Sequence, residues 1–327
     1  MALRRSHLVA VIAAAVAVCA VAAVLVTVVL RQVTRASGET TMTVETATPV
    51  DAQTLDRARR VLLARLAGAE MQDGSVTVQG TNRLVVRVAG RQPADRMRAL
   101  AATGDLQFRP VLGTAAPDPR GDEEAAGGTD KPTLEQVRAK LGQAYELAST
   151  ATKPEDLPAD TVERLAPFAS LTAGEVAVLP AVMQYAVPFV GCKKLAGREV
   201  MPAGEQVTAC ETAAKHLLDR ARVVGDDVRR AEATIAPDIG QWQVNIAFTG
   251  AGQAKWTELT RELAPEQKQV AIMVDGAVLS APAVQSVING DALITGTFTR
   301  ATAQTLAAQL NAGALPVRLT VVSFNQR

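Results

Sequence analysis

Histidine is nearly absent from this chain of 327 residues, which has two, together with three cysteines, two tryptophans and two tyrosines. Each scarcity removes a class of function. His7 precedes a long apolar run, so a Ser-His-Asp arrangement would have to rest on His216, whose neighbours AKHLLDR read as an ordinary amphipathic segment. Zinc is disfavoured for the same reason: His216 is the one histidine near Cys192 and Cys210, and no tetrahedral set can be assembled. No phosphate loop is present, and Gly250-Ala-Gly252 is too short for a nucleotide fingerprint and has no acidic partner in place. Glu123 and Glu124 form a solvated loop pair with no partner carboxylates for acid–base work. Lys and Arg number 34 against 33 Asp and Glu, a formal charge of +1, which gives no global field to attract nucleic acid. No basic stripe interleaved with aromatics is seen either. The expectation is a non-enzyme with no catalytic, cofactor-binding or metal-binding residues and no nucleic-acid partner.

What the chain does contain is apolar. From Leu8 to Leu30 it carries no charged residue, no Pro and no Gly. A helix of about 20 residues crosses the hydrocarbon core of a bilayer, so this run predicts a transmembrane anchor in contact with membrane lipid. A cleavable signal peptide is the rival, although its apolar region would be about 7–15 residues. Arg4 and Arg5 favour a cytoplasmic start and Arg31 and Arg35 weaken the contrast. No second run of this length follows, so residues beyond about 36 are expected on one side, outside the cytoplasmic membrane. An oxidising compartment permits a Cys192–Cys210 disulfide; two unpaired buried thiols are the alternative.

The remainder reads as α+β. ETTMTVETAT (39–48) alternates as a strand, and Asp51 can cap a helix over 52–67 in which Leu55, Ala58, Val61, Leu62, Arg65 and Leu66 recur at helical spacing. SVTVQG and NRLVVRVAG form a hairpin, a helix follows at 93–102, and DLQFRPV is a further strand. WQVNIAF, a helix to about Leu263, QVAIMVDG with AVLSAP, ALITG, the helix FTRATAQTLAAQLNAG and the strand LPVRLTVVSF repeat this order. Two β-α-β-β-α-β halves give a ferredoxin-like base. The expected divisions are an N-terminal tail and anchor at 1–38, base halves at 39–112 and 236–327, and an inserted head lobe at 113–235. That head opens on a mobile loop at 113–132 and has a helix at 133–148; hinges are expected in the loop and near 231–238. Within the head, VAVLPAVMQYAVPFV contains two prolines and cannot be one helix. It either fills the head core or lines a groove for extended apolar peptide, with Val178, Leu179, Val182, Met183, Tyr185, Val187 and Phe189 as candidate polypeptide contacts. Asp275, Gly276, Pro282, Gly296, Gly313 and Pro316 are expected to shape the chain: a reversal at Asp275-Gly276, a ladder barred at Pro282, backbone freedom at Gly296 before a capped helix, and a new direction after Gly313 and Pro316.

The segment VAIMVDGAVLSAP, then ING with ALITGTFT, then LAAQLNAGALPVRL, resembles the SecD family of protein-export membrane proteins. RARRVLLARLAG, VQGTNRLVVRVAG and TGDLQFRPV fit the same family, and CETAAKHLLD with the two cysteines is similar to actinobacterial members. The resemblance covers about residues 50–327. It implies a first extracytoplasmic domain with base and head, and an accessory role in export in which translocating polypeptide is held transiently without covalent chemistry. Secreted polypeptide, the protein translocase or a complete SecD/SecF complex are the partners it implies; docking on an envelope protein without contacting substrate is the alternative. Two departures stand out. RASGETTMTVET takes the place of the family's LGLDLxGG, and the five further membrane helices that carry the family's proton-linked acidic residues do not appear by Arg327. The expectation is therefore a single-anchor form that does not itself move protons; a piece of an ordinary SecD is the alternative.

Overall fold

Alternating burial along β1 (Glu39–Glu45) gives a strand with one face turned inward, Thr40, Met42 and Val44. The computed structural model describes residues 38–71, 73–122, 132–196, 201–212, 214–238 and 240–327. The apolar run at 8–30 and residues 123–131 of the expected loop lie outside the described residues. Among the described residues no helix is long and apolar enough to cross a membrane.

After β1 comes α1 (Ala52–Gly68), capped by Asp51, whose Oδ1 accepts the Thr54 N–H at 2.8 Å. The hairpin β2 (Ser75–Gln79) and β3 (Arg83–Ala89) turns at Gly80, φ 64°, and α2 (Ala94–Ala101) and β4 (Leu106–Ala115) follow. In the head, the helix expected at 133–148 is two helices, α3 (Leu134–Leu141) and α4 (Gln143–Ser149), because Gly142 takes φ 53° between them. Short helices α5 (Ala159–Val162), α6 (Ala173–Ala177), α7 (Ala181–Ala186) and α8 (Cys192–Leu195) lead to the hairpin β5 (Val207–Glu211) and β6 (Ala214–Leu218). The return runs through β7 (Val223–Val224), β8 (Val228–Ile235), β9 (Trp242–Phe248), α9 (Gly250–Leu263), β10 (Val270–Val274) and β11 (Ala277–Ser280). It closes with β12 (Ala292–Phe298), α10 (Arg300–Ala312) and β13 (Thr320–Gln326).

The fold is mixed α and β with antiparallel sheets. One sheet has the order β13-β1-β3-β2, a second β11-β10-β4-β6-β5 with β7 also on β4, and a third β12-β9-β8. The two halves are thus not separately closed, as their element order suggested. β4, the last strand of the first half, pairs with β10 of the second, and β13, the last strand of the second, pairs with β1. Burial explains the exchange. Leu106 to Pro110 are buried on both faces and suit a central strand, whereas β13 alternates between exposed and half-buried and suits an edge.

Three further expectations are corrected. AKHLLDR is not an amphipathic segment: residues 214–218 form β6, central between β4 and β5, where both faces are covered. Residues 113–122 are not a mobile loop, since 113–115 pair with β6 and Pro119–Asp122 is a 3-10 turn packed on the head, with Gly121 buried. The junction near 231–238 is not a free hinge, because β8 pairs with β9 from Val228 to Ile235 and a tight turn follows, with Ala236 N–H donating to the Gln241 carbonyl at 2.8 Å.

Helix α10 lies between two cores. Ala303, Leu306, Ala307 and Leu310 join the cluster of Phe108, Phe248 and Trp256, while Ala308 joins that of Met42, Leu55, Leu62 and Met97. At its crossing with α1 a side chain on Gly68 would sit 3.0 Å from the Ala308 Cβ. Small residues let the helices approach. Ala308→Leu should overfill this contact and lower stability by about 1–3 kcal/mol, read from the urea midpoint.

Candidate functional site: the head lobe and its junction with the base

The apolar head segment is built from short helices with defined starts. Thr172 and Glu175 form a capping box at α6, and Pro180 precedes α7. The buried Gln184 amide donates to the Val176 and Leu179 carbonyls at 3.0 and 2.6 Å, so the turn between α6 and α7 has its backbone paired. Of the seven candidate contacts, Leu179, Met183, Tyr185, Val187 and Phe189 are buried and Val178 and Val182 are half-buried. Leu179, Met183, Val187 and Phe189 pack with Leu165, Phe168 and Val137 in a core confined to the head. The segment fills that core; in this arrangement it does not line an open groove. Arg120 stacks on the Phe189 ring at 4.6 Å and pairs with Asp118 at 2.9 Å, fixing the turn over it.

Cys192 at the start of α8 is joined to Cys210 on β5, with Cα atoms 5.8 Å apart. Beside it, on β6, Lys215 is fully buried and its ammonium donates to the Val187 and Val190 carbonyls at 2.7 and 3.1 Å. Burial pulls this ammonium down to about 7, against which the charge of Asp122 acts weakly. His216 is also buried, neither solvent-facing nor bonded to a sequence neighbour. Its Nδ1 meets the Thr114 hydroxyl across the ladder at 2.9 Å, and burial lowers its pKa. Nε2 has no hydrogen-bond partner, and Glu211 Oε2 is 3.7 Å away, beyond hydrogen-bond reach. The pair links two strands; it lacks the oriented acid that a catalytic relay needs. Among the described residues no three His, Cys, Asp or Glu side chains gather where they could hold a metal ion.

Two buried arginines organise the rest: Arg65, which the helical spacing places among apolar residues, and Arg109, which the sequence pattern does not single out. Arg109 on β4 donates to Gln107 Oε1 at 2.7 Å and to the carbonyls of Pro202, Glu205 and Asp219 at 2.6, 2.7 and 2.7 Å. It ties the root of the β5–β6 hairpin to the base, and burial lowers its pKa to about 10. Arg65, on the apolar face of α1, donates to the carbonyls of Leu100, Thr103 and Gly313 at 2.8, 2.7 and 2.8 Å, and to that of Ala102. Its pKa too is lowered to about 10 by burial, with Asp275 opposing. A charged residue at a helical core position signals such a role, but its partners are distant in sequence.

The scaffold positions behave in part as expected. Asp275 and Gly276 turn the chain at φ 52° and 79°, and Asp275 Oδ1 also accepts the N–H groups of Gly104 and Asp105 at 2.6 and 3.0 Å. Pro282 follows the end of β11, yet its carbonyl still accepts the Val270 N–H at 3.0 Å, since proline lacks only the donor. Gly296 lies inside β12, where the register shifts between Ile294 and Phe298, and not between strand and helix; a Cβ there would sit 3.3 Å from the Phe298 ring. Gly313, φ 77°, ends α10, and Pro316 lies in the bend before β13.

Residues 199–317 match the family model described as the SecDF P1 head subdomain. That span runs from the head hairpin through α10, so it includes base strands as well. Over 101 residues, 31% of this chain, the sequence is 38% identical to protein translocase subunit SecD of Elusimicrobium minutum and covers 21% of it. Against protein translocase subunit SecDF of Thermus thermophilus it is 28% identical over 279 residues, 83% of this chain and 27% of the relative. The crystal structure of SecDF in its super-membrane-facing form superposes with a TM-score of 0.52 at 22% identity, covering 89% of this chain and 30% of that one, a likeness in fold. The chain thus spans 21% to 27% of the length of these two relatives.

Arg65→Met would leave four carbonyls without their donor and should cost at least about 3 kcal/mol in urea denaturation. The titration of the head has a defined sign. Between about 7, the folded value for Lys215, and its ordinary 10.5, the unfolded chain binds a proton that the folded one does not, so stability rises with pH across that window. Lys215→Met should flatten this slope, measured as urea midpoints from pH 7 to 10. The lowered His216 acts in the same sense at lower pH, removing stability as pH falls below 6.5.

Proposed function

Because this chain is a relative of SecD, we propose that it assists protein export across the cytoplasmic membrane by holding translocating polypeptide transiently on the outer side, without covalent chemistry. In this reading the run at 8–30 is the anchor, the body at 39–327 stands outside, and its partners are secreted polypeptide and the translocase or a complete SecD/SecF complex. The base is read as two ferredoxin-like halves, 39–112 and 236–327, with a head inserted at 113–235; β7 and β8, at the end of that head span, pair with β4 and β9 and pack in the base core, so the head proper ends before Val223.

The observation that carries this reading is the separate core of the head. Val137, Leu165, Phe168, Met183 and Phe189 pack among themselves, distinct from the base clusters. A lobe with its own core can shift or open while the base stays folded. The bulge between Val111 and Gly113, with Leu112 exposed, is where β4 passes from base to head pairing and where a rocking motion would concentrate. Val178 and Val182 are the two candidate contacts that keep some exposure, beside the exposed Ala177 and Pro180. The burial of Leu179, Met183, Tyr185, Val187 and Phe189 favours the second reading, a module that docks on an envelope or translocase protein without touching substrate.

A photo-crosslinking residue at Val178 or Val182, in membranes carrying a stalled secreted chain, should capture that chain several-fold above the same probe at the fully buried Ala148. Capture no greater than at Ala148 would sink the holding role. A stable copurifying envelope protein in that case would establish the docking role.

A further inference from the structure

The two ends of the described chain meet at one rim of the β13-β1-β3-β2 sheet. Glu39 and Arg327 exchange backbone hydrogen bonds at 3.1 and 3.0 Å, and the Gly90 N–H donates to the Gly38 carbonyl at 2.8 Å. A side chain at Gly38 would collide with the Arg327 carbonyl and would sit 3.6 Å from Arg91 Cγ. Arg91 and Arg327 therefore flank the point from which the sequence runs back toward 8–30. Arg87, opposite Thr41 two residues along the ladder, projects from the same end of the sheet.

Set against the Glu39 carboxylate and the α-carboxylate at Arg327, these arginines leave a small local surplus of positive charge on a chain that is nearly neutral as a whole. Among the described residues Arg91 and Arg327 have no ion-pair partner, and both are exposed. Arg87 and Glu39 are 3.6 Å apart with their side chains 46% and 50% exposed, a loose pair. Asp95, the acid that follows in sequence, is taken by Arg98 at 3.0 Å. From Leu30 to Glu39 is nine residue steps, at most roughly 30 Å of extended chain. Arg31 and Arg35 fall within this link and add positive charge to the same stretch of sequence.

We propose that this rim is a docking surface for anionic phospholipid, in which headgroup phosphates of the outer leaflet engage Arg87, Arg91 and Arg327 and seat the end of the sheet on the bilayer. The proposal rests on the anchored reading above. Guanidinium groups bind phosphate through paired N–H donors, which suits a surface of phosphodiesters. The short link keeps the rim close to the bilayer, so modest attraction suffices. Each arginine near an anionic surface contributes roughly a fivefold bias toward the docked state.

The test uses the full chain in lipid nanodiscs, one set of phosphatidylcholine alone and one with roughly a third phosphatidylglycerol, followed by amide hydrogen exchange. Amides at 88–93 and 324–327 should exchange at least about fivefold more slowly in the anionic discs, and the difference should vanish in about 0.5 M salt. Replacing Arg87, Arg91 and Arg327 together by Gln should abolish the difference, and replacing them by Lys should keep most of it. Equal rates in the two kinds of disc, or a difference that survives the triple Gln change, overturn the docking while leaving the anchor intact. Release of the chain from membranes by alkaline carbonate overturns the anchored reading, and the docking with it.

Discussion

One guanidinium, shut away from water, ends two helices at once. The C-terminal carbonyls of a helix have no partner within it and carry the negative end of its dipole. In this protein the Leu100, Ala102 and Thr103 carbonyls at the end of α2 and the Gly313 carbonyl that closes α10 converge on Arg65 of α1. The Leu315 N–H donates to the Thr103 carbonyl at 2.8 Å, stitching the two exits together. From the first exit the chain enters β4, and from the second it proceeds to β13. These are the two strands that cross between the halves. Asp275 brings the β10–β11 turn to the same place by accepting from Gly104 and Asp105, so that β10 lies ready to receive β4. The exchange of strands is launched from this polar knot, and the cost of burying its charge is offset by the hydrogen bonds that the charge makes.

A second buried arginine repeats the device at the other end of β4. The strand serves two masters: Leu106–Pro110 pairs with β10, and Val111–Ala115 with β6. Arg109 sits just before the change and holds the chain entering and leaving the head hairpin by its carbonyls. A small apolar cluster of Met201, Val207, Leu218, Ala271, Met273 and Val278 fills the space beneath. The root of the head is thus tied by polar contacts, and beyond the bulge at Leu112 lies the separate apolar core of the head.

Much of this was legible in the residues. Helical spacing is legible in α1 and α10, alternation in β1 and β3, and the turn at Asp275-Gly276 in residue type. Contacts between residues far apart in sequence leave no such local pattern. AKHLLDR reads as an ordinary amphipathic segment, yet Lys215 and His216 are both buried in a central strand, where Lys215 is held by the Val187 and Val190 carbonyls and His216 meets Thr114 through Nδ1 alone. The head segment was ambiguous between core and groove because an apolar stretch broken by prolines suits either; its closure depends on Gln184, Arg120 and the residues of α3 and α4 around it.

By itself, then, the sequence settled the local order of strands and helices, the inward faces of most of them, and the motifs shared with SecD, since these depend on neighbours three, four or two residues away. Tertiary structure alone decided which sheet each closing strand joins, and it turned Arg65 and Arg109 from helix-face and strand residues into organising centres. The reason is physical. A buried guanidinium has five donors and takes its meaning from whichever carbonyls surround it, and the fold collects those from places up to 248 residues away along the chain.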